Sequence, residues 1–186
     1  VGLSGMLAFM EYGMVANPDS AAVAWFADQY TPWRAHMLDR AQSGVWGTTL
    51  LDEDYYWGSN APALWTVVTL AVGDAITGQT DDVTTQVAQQ TLSYILGQNP
   101  LHFSYVSGYG VDYVRRPHSA IWSNDEVDAI PAGILVGGPN AYTNPLLWST
   151  APAKRYVDSD HDWSTNEHTI YWNSPLVFVI AMIQSH

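Results

Sequence analysis

The residues best placed to do chemistry lie between Tyr156 and Ser174, in YVDSDHDWSTNEHTIYWNS. Alternate aspartates, Asp158, Asp160 and Asp162, precede an isolated glutamate, Glu167, set among Trp163, Tyr171 and Trp172. A carboxylic acid held against aromatic surface loses water around its charged form and so favours the protonated state near neutral pH. That is the property a general acid needs to protonate a poor leaving group such as a sugar oxygen, and its usual partner is a second carboxylate that handles water. The same residues admit a plainer reading, in which Glu167 caps a helix and the aspartates stand in solvent.

The spacing runs Tyr156, Asp158, Trp163, Glu167, Thr169, Asn173, Ser174. In this pattern the stretch resembles, position by position, the acidic signature of glycoside hydrolase family 9, the inverting cellulases. Upstream, Ser104, Val106, Ser107, Gly110, Pro117 and His118 are similar to the family's histidine signature, in a segment that also carries GQNP and GGPN, and WGSN stands earlier, before a helix. Asp112 departs from the pattern where a basic residue or Asn is usual, and Ala120 where the family has arginine, which leaves Arg115 or Arg116 as candidate substitutes. Trp172 stands where many members have Tyr, as in a subset of the family.

The resemblance implies an all-α fold, with residues 1–186 as the C-terminal part of an (α/α)6 barrel of helical hairpins with long irregular cleft loops. It implies hydrolysis of β-1,4-glycosidic bonds in a cellulose-type glucan or oligosaccharide by an inverting mechanism. Glu167 is then the general acid, Asp158 the second catalytic carboxylate, orienting the site, and His118, Trp172, Tyr109, Arg116 and Trp57 the substrate-binding residues. A secreted, extracellular enzyme is implied as well. His118 is expected to donate to a sugar hydroxyl from a neutral ring whose other nitrogen is held by the protein.

The family also activates its water with two aspartates in an Asp-Ala-Gly-Asp motif, and this chain has none. The nearest string, Gly73-Asp74-Ala75, falls inside a helical pattern. An inverting reaction needs acid and base on opposite faces of the sugar, ~6.5–9.5 Å apart. The expected partner is therefore the N-terminal half of the catalytic domain, as another chain or an unseen segment. Val1, without Met and in what reads as the middle of a helix, suits a processed or truncated product.

Composition narrows the classes. The chain has 186 residues, 47% of them apolar, which suffices for one buried domain. A net charge of −12 with six Lys plus Arg argues against nucleic-acid phosphates or anionic membranes as partners. No apolar run reaches the ~18 residues of a membrane span. Cysteine is absent, so disulfides and thiolate metal sites are excluded within the chain. Nine Trp and eleven Tyr suit both a core and the flat faces of sugars.

Helices must position these residues. Leu3, Met6, Leu7, Met10 and Met14 share one face until Asn17-Pro18. Asp19 or Ser20 caps a second helix with Val23, Phe26 and Tyr30 inward, which Pro32 is expected to interrupt. From Gln42 to Asn60 periodicity gives way to a loop with Asp52, Glu53 and Asp54, read as a cleft wall, either solvated or a calcium-binding turn. Asn60 and Pro62 open a helix closed by Gly78, and a second begins at Thr80 or Asp81 and ends before Gly97, so the two pack as an antiparallel pair. Residues 98–145 are Gly- and Pro-rich and irregular. Ser174 and Pro175 read as N-cap and N1 of a final helix, LVFVIAMI, apolar on all sides and hence buried.

Other readings of the site are an exo-acting β-glucosaminidase of the same family, a non-catalytic carbohydrate-binding remnant lacking the base, and a structural helical domain whose Asp158, Asp160 and Asp162 open a calcium loop. No cofactor is expected beyond a possible structural calcium, and the five histidines other than His118 lack metal-ligand spacing.

Overall fold

The computed structural model describes residues 8, 10–123, 130–141 and 149–185. The expected positions Leu3, Met6 and Leu7 lie outside that range, while residues 10–13 are helical and Met10 is buried. Helix α1, Ser20–Ser43, starts where the capping signal placed it: the Asp19 carboxylate accepts from the Ala22 amide at 2.9 Å. Pro32 does not interrupt it. The proline removes the amide that would reach the Asp28 carbonyl, and both residues stand on the exposed face of the helix. The opposite face, with Phe26, Tyr30, Met37, Leu38 and Ala41, is buried and holds the helix on course.

Helix α2, Asn60–Thr77, begins in WGSN and ends at Gly78, whose φ of 72° closes it in the left-handed form that costs glycine little. Helix α3, Val83–Ile95, follows a short link in which Asp81 accepts from the Val83 amide at 3.1 Å. The two helices pack against each other as the short link requires, and α2 also packs against α1. Their joint is the buried Asp74. Its carboxylate accepts from the Tyr30 hydroxyl at 2.6 Å, from Arg34 Nε at 2.6 Å and from the Thr84 hydroxyl at 2.5 Å, so one side chain ties three helices. Burial, then the neighbouring Asp74, pushes the Tyr30 phenol well up, and the hydrogen bond to Asp74 does the same to the Arg34 guanidinium.

Beyond α3 the described residues are irregular apart from two helical turns, α4 (Ala120–Ser123) and α5 (Trp163–Asn166), a 3-10 turn at Pro152–Lys154, and the last helix α6, Ile170–Gln184. Among the described residues there is no strand; isolated bridges pair Ser104 with Tyr113, Val106 with Leu135, His118 with Glu167 and Val136 with His168. The core gathers Leu64, Val67, Tyr94, Tyr105, Leu135 and Val179, all fully buried, from α2, α3, the loops and α6.

Helix α6 corrects the sequence reading twice. It starts earlier, capped by Thr169, and Pro175 lies inside it. The proline leaves the Tyr171 carbonyl without its helical donor, and the Ser174 hydroxyl supplies one at 3.2 Å. Nor is the helix buried all round: Trp172, Pro175, Leu176 and Val179 face the core, while Val177, Phe178 and Ile180 are exposed. Among the described residues no helix is long and apolar enough to cross a membrane.

Candidate active site

Glu167 stands in a short extended segment between two helix ends. Asp162 caps α5, its carboxylate accepting from the Ser164 amide at 3.0 Å and from the Ser164 and Thr165 hydroxyls at 2.6 Å each. The chain leaves that turn at Glu167, with φ −67° and ψ 153°, and enters α6 at the Thr169 cap. Both edges of the segment are tied down. On one side the His118 amide donates to the Asn166 carbonyl at 2.8 Å; on the other, Gly137 donates to the Glu167 carbonyl at 2.8 Å and Gly138 to that of Thr165 at 2.9 Å.

The loop that supplies Gly137 and Gly138 is locked to the start of α2. The Asn60 amide donates to the Gly137 carbonyl at 3.0 Å and its side chain to the Val136 carbonyl at 2.9 Å, while the Ser59 hydroxyl reaches the Pro139 carbonyl at 2.6 Å. Gly138, at φ 89°, lies so close to the Asn60 amide that any Cβ would overlap it. Asn173 fastens α6 to the same loop, its side chain donating to Gly133 at 2.7 Å and accepting from the Leu135 amide at 3.2 Å. WGSN, GGPN and the acidic stretch are thus parts of one interlocked frame.

The Glu167 carboxylate accepts from the Trp57 indole at 3.0 Å, a contact spanning 110 residues of chain. Trp57 is 43% exposed and borders an aromatic cleft of about 620 Å³ lined by Trp25, Trp33, Trp65 and Tyr171 among others. Trp172, expected as a sugar contact, is only 3% exposed. It packs over Gly58, where a Cβ would come within 2.6 Å of its ring, and meets Trp57 edge-on at 5.5 Å. Its ring packs against Trp57 and Gly58 and forms part of the cleft wall.

His118 Nδ1 is bound to the Asp160 carbonyl at 2.5 Å, which requires the proton on Nδ1. With the proton on Nδ1, a neutral ring presents Nε2 as an acceptor and a charged ring presents it as a donor. Asp158 takes the Arg115 and Arg116 amides at 2.9 Å each, and Asn166 Nδ2 at 3.2 Å. Both oxygens of Asp158 are engaged by its own chain, which holds the segment leading to His118. Arg116 pairs with Asp160 at 3.0 Å beside His118, and its guanidinium is exposed. Arg115 is drawn the other way, to Asp112 at 2.9 Å and over the Tyr113 ring at 4.5 Å. Tyr109, 56% exposed, sits at a turn between Gly108 and Gly110, on the loop that pairs with Leu135 and not on the His118–Glu167 pairing.

The alternate aspartates have separate partners, and among the described residues no group of His, Asp or Glu converges as a metal-holding cluster. Asp54, in the earlier acidic loop, pairs with Arg40 and accepts from the Leu51 amide at 2.9 Å. Two features escaped the sequence reading. Asp162 followed by Ser164 and Thr165 is a capping pattern that was available locally. Asn166 gave no recognisable motif: Tyr156, Asp158 and Ser159 precede it by 10, 8 and 7 residues and Arg116 by 50, at no regular spacing. His168, packed on Trp122 at 4.7 Å, is held below its ordinary value by burial, with His118 adding and Glu167 opposing.

The loops that connect these helices bring a carboxyl, an imidazole and an indole together, and the indole borders the open aromatic cleft. The glycosyl hydrolase family 9 model matches residues 3–180, and the chain belongs to that family. It is 36% identical over 138 residues to a cellulose 1,4-beta-cellobiosidase of Acetivibrio thermocellus, covering 69% of this chain and 15% of that one. A xyloglucan-specific endo-beta-1,4-glucanase of Bacteroides ovatus is 32% identical, over 72% of this chain and 23% of its own. Among solved structures, AaCel9A in complex with cellobiose-like isofagomine superposes with a TM-score of 0.88 at 30% identity, covering 96% of this chain and 35% of that one. A thermostable endoglucanase of Alicyclobacillus acidocaldarius gives 0.85 at 28% identity, with the same coverage. The all-α fold is therefore that of part of an (α/α)6 barrel, and the chain spans about a third of those structures.

Proposed function

We propose that this chain is the C-terminal portion of a cellulase catalytic domain and supplies the general acid, Glu167, for inverting hydrolysis of β-1,4-glucan. The observation that carries the reading is the Glu167 carboxyl itself: its backbone is tied on both edges, and its side chain accepts at 3.0 Å from Trp57, a partly exposed indole. A fixed acid can deliver its proton to the glycosidic oxygen without reorganising.

In this reading His118 accepts from a sugar hydroxyl through Nε2, Trp57 and Arg116 offer an aromatic edge and donors at the rim, and Asp158 positions the His118 segment. Tyr109 lends its exposed ring to a more distant sugar unit. The base comes from the rest of the catalytic domain, as another chain or a further segment. Support for such a neighbour is the exposed apolar row Val177, Phe178 and Ile180 on α6, together with the open aromatic cleft. Extracellular action follows, because the polymeric substrate lies outside the cell.

The test is product release from cellohexaose and from chitosan oligomers by the intact enzyme and by Glu167→Gln, which keeps the shape and removes the acid. The reading expects cellohexaose cleavage to fall ~10²–10⁴-fold in the variant. Unchanged cleavage would remove Glu167 as the acid, and a preference for chitosan oligomers would replace the substrate.

A further inference from the structure

Asn166 is 0% exposed and is the last residue of α5, immediately before Glu167. Its side-chain oxygen accepts from the Tyr156 hydroxyl at 2.6 Å. Its amide nitrogen faces acceptors only: the Arg116 carbonyl, Asp158 Oδ1 at 3.2 Å and the Ser159 carbonyl at 3.2 Å. Its backbone carbonyl takes the His118 amide at 2.8 Å. The orientation of the amide is therefore dictated, because turning it over would aim an oxygen at three oxygens and leave the nitrogen on a phenol. Burial, with Asp158 and Tyr105 adding, pushes the Tyr156 phenol well up, so it remains a donor across any working pH.

One buried side chain thus joins the segment before His118, the carboxylate of Asp158 and the residue that carries Glu167. We infer that Asn166 is a positioning residue that sets the Glu167 carboxyl against the sugar held by His118, with the Tyr156 hydroxyl fixing its amide. The inference rests on the general-acid reading of Glu167 and deepens it. Asn166 touches no substrate in this account; it acts by holding the acid in register, and displacements near 1 Å are enough to cost a reaction ~10²-fold.

The variants Asn166→Asp and Tyr156→Phe in the intact enzyme separate positioning from mere stability. Asn166→Asp is nearly isosteric and replaces the donor end with an oxygen facing oxygens. Tyr156→Phe keeps the ring packed between Phe103 at 5.3 Å and Tyr105 at 5.1 Å and removes only the donor to Asn166. Each is assayed on cellotetraose, whose leaving sugar needs a proton, and on 2,4-dinitrophenyl β-cellobioside, whose phenolate leaves without one. The inference expects kcat on cellotetraose to fall ~10²-fold for Asn166→Asp and ~5-fold for Tyr156→Phe, with the dinitrophenyl substrate nearly unaffected. Equal losses on both substrates for the folded variants would overturn it, since general loosening spares neither. Should Asn166→Asp fail to fold, the ratio for Tyr156→Phe decides alone. Glu167→Gln runs beside them: if it cleaves cellotetraose normally, the general-acid reading falls; if it shows the selective loss and the Asn166 and Tyr156 variants do not, only the positioning inference falls.

Discussion

Two carboxylates in this chain illustrate opposite uses of one functional group. Asp74 sits among helices and spends both oxygens on Tyr30, Arg34 and Thr84. Glu167 sits between loops, with its backbone fixed by His118 and Gly137 and its side chain bonded to Trp57 at the edge of a cleft. A carboxylate whose lone pairs are consumed by its own chain is a fastener. One whose backbone is pinned while its carboxyl borders open space is available for chemistry, and neither residue type nor charge distinguishes them.

Breaking the fastener gives the largest loss of stability. Asp74→Asn leaves the Arg34 guanidinium with Asp81 alone and is expected to destabilise the fold by ~3 kcal/mol, read from denaturant unfolding, with activity per folded molecule retained. Next is Asp162→Ala, which removes the cap of α5; it should cost ~2 kcal/mol in the same measurement and, unlike Asp74→Asn, lower activity too, because that turn carries Glu167. Trp57→Phe sharpens the contrast from the other side. It keeps a ring over Trp172 and removes the donor to Glu167, so kcat on cello-oligosaccharide should fall ~10-fold with little change in unfolding midpoint.

The smallest effect is a pH dependence. Burial holds His168 below its ordinary 6.5, so the folded chain binds that proton less readily than the unfolded chain. The stability gained by keeping the ring neutral is fully present above about 6.5 and is lost as pH falls from there through the folded value. His168→Gln should flatten that acid-side decline, as thermal melts between neutral and mildly acidic pH would record.

Much of this was legible in the amino-acid sequence wherever a signal is local. The Asp19 cap, the α2 and α3 pair with Gly78 between them, and the spacing around Glu167 all rest on residues a few positions apart. Proline was misread twice for one reason: whether it breaks a helix depends on what meets the orphaned carbonyl. Asp28 stands on an exposed helix face, and the Ser174 hydroxyl donates to the Tyr171 carbonyl. The donor to Glu167 comes from 110 residues away, and Asn166 donates to the Arg116 carbonyl from 50 residues away. Such contacts carry no periodicity, because tertiary closure alone creates them. Trp172 is read from sequence as a sugar contact; its low exposure and its packing on Gly58 arise only from tertiary closure.

The most direct test sets the two carboxylates side by side. Glu167→Gln and Asp74→Asn are made in the intact enzyme, and each is measured for cellohexaose turnover per folded molecule and for unfolding free energy. The account predicts a crossed result: Glu167→Gln loses ~10²–10⁴-fold in turnover at nearly unchanged stability, and Asp74→Asn loses ~3 kcal/mol of stability at nearly unchanged turnover. If Glu167→Gln turns over cellohexaose like the parent, or loses activity only in step with its stability, Glu167 is another fastener and the proposed acid must be sought elsewhere.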